Sequence, residues 1–177
     1  MGDPKKQRKK YSMPKNPWQK ERIEQEKENL KEYGLKNKKE IWKLVSMIRE
    51  FSNQVKKLIA TKTEQAEKEK KLLLQKLQSL GLIEKTAQLD DVLSLTTKDI
   101  MERRLQTIVH RKGLAKSMKQ ARQFIVHGHI KVNNRKVTVP SYLVKKEEEN
   151  LITFDQKSTL ANPNHPERVV KKEKKSE

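Results

Sequence analysis

The stretch MERRLQTIVHRKGLAKSMKQARQFIVHGHIKVNNRKVTVP, residues 101–140, changes its apolar period partway along. At its start Met101, Leu105 and Ile108 fall on one helical stripe and Arg104, Thr107 and Arg111 on another, and Gly113 ends the pattern. Ser117 offers an N-cap to a second helix with Met118, Ala121 and Ile125 on its apolar side, Lys119 and Arg122 on the other and Gly128 as its stop. Beyond Gly128 the pattern alternates: Ile130 and Val132, a turn at Asn133-Asn134, then Val137 and Val139 up to Pro140. A hairpin is predicted there, with residues 151–154 as a further strand after the acidic turn Glu147-Glu148-Glu149.

Working outward, Thr96 and Asp99 three residues later form a capping-box pair, so the first of these helices is predicted to start near Thr97 and run unbroken to Gly113. Upstream, Ile41, Leu44, Ile48, Phe51, Val55 and Leu58 recur at spacings of three and four, and Leu73, Leu77 and Leu80 repeat the pattern before Gly81. The fold class expected is mostly α: a helical hairpin or small bundle over 21–97, then a small α+β module over 98–155 in which two short helices pack on a small antiparallel sheet. Asp90 and Asp91 in the short segment between them read as cap residues as readily as acids. Residues 1–20, with three prolines and one acid, and 156–177, with Pro163 and Pro166, are expected to be irregular basic tails.

Charge narrows the function. The 177 residues carry 42 Lys+Arg against 23 Asp+Glu, a formal net charge of +19. Such an excess calls for an anionic partner, and nucleic acid is the first expectation. A membrane surface would want bulky aromatics on a basic amphipathic helix, yet aromatics are 5% and scattered. No apolar run exceeds three residues, so neither a membrane span nor a signal peptide is expected. With no cysteine there is no disulfide, thiolate metal site or cysteine nucleophile, and five isolated glycines form no phosphate-cradling loop. His127 and His129 flank Gly128 without a cysteine or carboxylate pair to complete a metal set. Neither an enzyme, a cofactor nor a small-molecule substrate is expected.

The charge is also concentrated. Between Met101 and Pro140, ten basic side chains stand against the single acid Glu102. They are Arg103, Arg104, Arg111, Lys112, Lys116, Lys119, Arg122, Lys131, Arg135 and Lys136. Arginine forks suit phosphate oxygens, so an RNA-binding module is the direct reading. Lys5, Lys6, Arg8, Lys9 and Lys10 would extend it as a basic arm, with Tyr11 and Trp18 placed to stack on bases or dock on a protein groove.

The runs Glu102-Arg103-Arg104-Leu105-Gln106-Thr107, Arg111-Lys112-Gly113-Leu114-Ala115, Gln120-Ala121-Arg122-Gln123, His127-Gly128-His129-Ile130 and Val139-Pro140-Ser141-Tyr142-Leu143-Val144 resemble the small-subunit ribosomal protein four family, nearest its archaeal form. The resemblance is strong over about residues 95–155 and looser before it. It departs at the hairpin, where many relatives have Asn-Gly, and in lacking the cysteines through which some relatives bind zinc. What it implies is a ribosomal, cytoplasmic protein that binds the 5′ domain of small-subunit rRNA at a multi-helix junction, nucleates assembly, touches neighbouring subunit proteins and contributes to translational accuracy. By motif position it implies that Arg103, Arg104, Lys119, Gln120, Arg122, Gln123, His127, His129, Lys131 and Arg135 face RNA. A free-standing RNA-binding chaperone, or the RNA-targeting arm of a modifying enzyme, is the alternative use of such a module.

Overall fold

A computed structural model of the protein describes residue 6 and residues 9–84, 86–162 and 165–168. Of the hairpin and the small bundle expected for its N-terminal part, the structure has a bundle of three helices: α1 (Lys20–Glu32), α2 (Lys38–Ala60) and α3 (Glu64–Ser79). The expected stripe of α2 is the one that is buried, through Ile41, Leu44, Phe51, Val55 and Leu58. Asn37 caps α2 by accepting from the Glu40 amide at 3.3 Å, and Thr63 caps α3 by accepting from the Ala66 amide at 3.2 Å. Leu73 and Leu77 of α3 close on Phe51, Val55 and Leu58 together with Val92 of α4 (Leu89–Leu93). Asp91 is a cap residue, its carboxylate accepting from the Gln88 amide at 2.7 Å.

The Thr96–Asp99 capping box forms, but the helix it starts is short: α5 (Thr97–Glu102) stops at Arg103, and α6 (Leu105–Arg111) begins after a break. The expected single helix is therefore corrected to two. The amides of Leu105 and Gln106 turn away from their own helix to the carbonyls of Tyr142, at 2.8 Å, and Pro140, at 3.3 Å. Arg104 pairs with Leu143 as an isolated antiparallel bridge, so the chain at 140–144 supplies the partners that a continuous helix would have supplied. The apolar stripe Met101, Leu105 and Ile108 is buried as expected, but the second stripe is not one exposed face, because Arg104 and Thr107 are buried and Arg111 alone is exposed.

Helices α6 and α7 (Met118–Val126) pack on a three-stranded antiparallel sheet of order β2-β1-β3, with β1 at Ile130–Val132, β2 at Arg135–Lys136 and β3 at Ile152–Phe154. Ser117 caps α7 through the Gln120 amide, and Gly128 follows the helix with φ +73°. The module's core joins Leu105, Ile108, Val109, Ala121, Phe124 and Ile125 to Ile130, Val132, Val144 and Ile152. Leu160, from the segment expected as a tail, is buried in the same core. Val137 packs against it from the side, whereas Val139 is exposed and outside any strand.

A third cluster joins the two parts: Ile100 and Met101 of α5 are buried with Tyr33, Ile41 and Leu44, and Met118 and Leu143 pack against them. The Gln106 amide nitrogen lies within 3.2 Å of the carbonyls of Tyr33, Gly34 and Met118, tying the α1–α2 turn to α7.

The hairpin turn holds Asn133 and Asn134 at φ +47° and +62°, the two positive values of a type I′ turn. Glycine is favoured at the second of these positions, so Asn134→Gly should stabilise the protein by roughly 0.5–1 kcal/mol. A thermal melt should show this as a midpoint about 1–3 °C higher; a lower midpoint would mean that the Asn134 side chain does more than tolerate the turn.

Candidate nucleic-acid interface

The cations expected to face RNA fall into two groups. The first group is tied up inside the protein. Arg104 is 2% exposed and donates to the Glu40 carboxylate at 2.7 Å, and Arg122, half-buried, donates to both oxygens of the same carboxylate at 2.9 and 3.3 Å. Glu40 thus bridges the first turn of α2 to the α5–α6 break and to α7. Burial alone would raise its pKa, but the hydrogen bonds from Arg122 and Arg104 and their charges hold it below the usual glutamate value.

Arg103 pairs with Glu149 at 2.8 Å and donates to the Val144 carbonyl at 3.1 Å. Arg111 pairs with Glu102, Lys112 donates to the Glu149 carbonyl, and Lys131 pairs with Asp155 at 2.8 Å. Lys116 donates to the Pro166 carbonyl at 2.9 Å, and the Gln120 side chain donates to the Glu167 backbone and carboxylate. The stretch 101–140 is nearly acid-free in sequence, but the fold brings Glu40, Glu149 and Asp155 to it from outside. Those acids are the functional residues that the sequence did not flag. Glu40 lies 64 residues from Arg104 and 82 from Arg122, and no local pattern marks such a partner.

The second group is free. Lys119, Gln123, His127, Arg135 and Lys136 are exposed, and their side chains make no hydrogen bond or ion pair among the described residues. Lys119 and Gln123 stand one turn apart on the outer side of α7, with His127 at its C-cap. The His127 ring stacks on His129 at 6.3 Å, and the Lys136 side chain lies across Gly128, where a Cβ would collide with it. The α7 surface therefore continues onto β2 through Lys136, and Arg135, its neighbour on that strand, is exposed as well. His129 sits at this corner, within 2.8 Å of the Ser158 hydroxyl. Burial, followed by the neighbouring charges of His127 and Lys136, lowers its pKa and leaves it neutral at pH 7.

From Lys9 to Ser12 the N-terminal segment is held against α2. Tyr11 packs on Trp42 at 6.1 Å with the Lys9 ammonium over its ring, and the Ser12 amide donates to the Ser46 hydroxyl at 3.0 Å. Lys6, Lys9 and Lys10 are exposed along it, and Lys5 and Arg8 lie outside the described residues. Tyr11 also reaches a cleft between α2 and the module lined by Lys39, Lys43, Arg104 and Arg122. Among the described residues no three potential ligands cluster to hold a metal, and no helix is long and apolar enough to cross a membrane.

Two helices on a three-stranded sheet, with unpaired cations running from the outer helix onto the hairpin, define an RNA-binding module, and the S4 domain family matches residues 103–150. The likeness extends well beyond the module. The chain is 53% identical over 154 residues to small ribosomal subunit protein uS4 of Ignicoccus hospitalis, covering 87% of this chain and 93% of that one. It is 53% identical over 172 residues to that of Nanoarchaeum equitans, covering 96% of each, and 51% identical over 172 residues to that of Picrophilus torridus, covering 96% and 94%. The chain belongs to the uS4 family of small-subunit ribosomal proteins. These relatives are ribosomal proteins rather than enzymes, and the chain is not an enzyme.

Proposed function

We propose that the protein is an rRNA-binding constituent of the small ribosomal subunit that enters assembly early. It grips a multi-helix junction in the 5′ domain of the rRNA, contacts neighbouring subunit proteins and contributes through those contacts to translational accuracy. The observation that carries this reading is the set of exposed, unpaired side chains Lys119, Gln123, His127, Arg135 and Lys136 on α7 and the hairpin, in a chain whose uS4 relatives match its helical part as well as its module. A-form RNA keeps its base edges in a deep, narrow groove, so cations fixed on a helix and a hairpin meet backbone phosphates and read the shape of a junction. The glutamate clamp at Glu40 supports this, because it fixes the module relative to α2 and so sets the spacing between the face, the cleft and the arm.

Competition binding between the rRNA 5′ domain and bulk tRNA, near physiological salt, tests the reading. Non-specific affinities there are about 10⁻⁴–10⁻⁶ M, and a specific junction should be preferred by about three decades or more. Equal affinity for both RNAs would overturn the junction reading and leave a free-standing RNA-binding factor.

A further inference from the structure

Trp18 is 89% exposed, the most exposed of the large apolar side chains among the described residues. An exposed tryptophan on a loose tail would need no explanation, but this one sits on backbone that is held on both sides. Upstream, Ser12 is fixed to α2 twice: its amide donates to Ser46 at 3.0 Å and its hydroxyl accepts from Arg49 at 3.2 Å. Immediately before Trp18, one nitrogen of the Arg22 guanidinium donates to the carbonyls of Asn16 and Pro17, at 2.7 and 2.9 Å. The other terminal nitrogen donates to Glu26 at 2.8 Å. Glu26 is itself buried and receives the Trp42 indole N–H at 3.0 Å and the Lys38 ammonium at 3.1 Å. Burial would raise the Glu26 pKa, but these hydrogen bonds hold it low, so the carboxylate stays charged and the anchor stays in place at neutral pH.

Pro14 and Pro17 restrict the segment further, and Gln19, directly after the tryptophan, is the N-cap residue of α1. The indole is thus presented outward from a pinned turn, while the other tryptophan, Trp42, is used inside the protein. Large aromatics offer contact area at little cost in side-chain entropy when their backbone is already fixed.

The surroundings select the partner. Residues 4–20 contain seven lysines and arginines and no acid, and Lys15 and Lys20 stand on either side of Trp18 in the sequence. Glu21, the first acid after them, lies in the first turn of α1, where it complements the helix dipole. An apolar protein pocket would gain nothing from so basic a segment, whereas an exposed aromatic within a lysine-rich, acid-free run of sequence matches a nucleobase carried on its phosphates. We propose that Trp18 is a stacking platform for an unpaired or helix-terminal base of the rRNA. This site is separate from the α7–hairpin face and rests on the RNA-binding reading above.

Full-length protein carrying Trp42→Phe retains Trp18 as its one tryptophan, and its circular dichroism and melting point check the fold. Titration with the rRNA 5′-domain fragment should quench Trp18 emission at the same concentration at which binding occurs. Trp18→Ala and Trp18→Leu, in the otherwise unaltered chain, should each weaken binding about 5- to 150-fold, the worth of one base–aromatic stack, while Trp18→Phe should stay within a few-fold. The salt slope should be unchanged in all three, because stacking releases no counterions.

Normal rRNA affinity of Trp18→Ala, with Trp18 emission unaffected by bound RNA, would overturn the platform and leave the rRNA reading intact. Equal binding by Trp18→Leu and Trp18→Phe would also overturn it in favour of plain apolar docking. Loss of the parent protein's preference for rRNA over tRNA would remove the platform together with the reading beneath it.

Discussion

Glu40→Ala should lower the unfolding free energy by about 3–5 kcal/mol, the loss expected when one partner of a buried ion pair is removed. The cost arises mainly at Arg104, which is 2% exposed and would keep a buried guanidinium with no carboxylate opposite it. Its Nε has no hydrogen-bond partner even with Glu40 present, so the site has no spare acceptor to take over. Arg122 should contribute less, because it is half-buried and can turn to water. Glu40→Gln, which keeps an acceptor but not the charge, should cost less than Glu40→Ala. Replacing Glu40 and Arg104 together by apolar residues of similar size should recover most of the loss, since no unpaired charge then remains. Denaturant unfolding of the three variants measures this, and a Glu40→Ala loss below about 1 kcal/mol would show that the joint is held by Tyr33, Ile100 and Met101 alone.

The pH dependence has a definite sign. Because the folded carboxyl titrates below its unfolded value, the stabilisation from Glu40 is fully present above the ordinary glutamate pKa. It is lost as pH falls through the depressed folded value. The parent protein should therefore lose more stability on acidification than Glu40→Gln does, and the two curves should converge at low pH. Parallel curves would mean that the arginines do not hold Glu40 in its charged form.

Local features were legible and distant ones were not. The α2 stripe, the Thr96–Asp99 capping box, the Ser117 cap and the Gly128 stop each depend on residues within a turn or two, and each appears where the spacing places it. The break at Arg103 and Arg104 is different in kind. Met101, Leu105 and Ile108 are spaced for one helix, and the groups that interrupt it are the carbonyls of Pro140 and Tyr142, far along the chain. Leu160 was hidden for a similar reason, because a lone leucine in an irregular segment has no period to betray its burial. The same limit applied to the interface: basic residues were easy to count, but whether each is a structural ion or a free one depends on acids that only the fold delivers.

That division makes the last prediction sharp. Lys119→Gln, Arg135→Gln and Lys136→Gln remove exposed charges that hold nothing inside the protein, so each should change stability by no more than about 0.5 kcal/mol. If they meet phosphates, the triple variant should bind the rRNA 5′ domain on the order of a hundred- to a thousandfold more weakly at about 0.1 M salt, with a log–log salt slope shallower by roughly two to three. Lys131→Gln and Arg103→Gln supply the contrast. Each strands an acid, Asp155 or Glu149, so the expected effect is on melting and on hairpin or loop order, with little change in slope. Asp155 reinforces the point, because the Lys131 hydrogen bond and then the Lys157 amide lower its pKa, the mark of a carboxylate engaged by these partners in the folded protein. The reverse pattern, a slope carried by Arg103 and Lys131 and untouched by the triple variant, would require the intramolecular pairs to open on binding. It would also move the interface from the outer side of α7 to the Arg103–Glu149 and Lys131–Asp155 pairs.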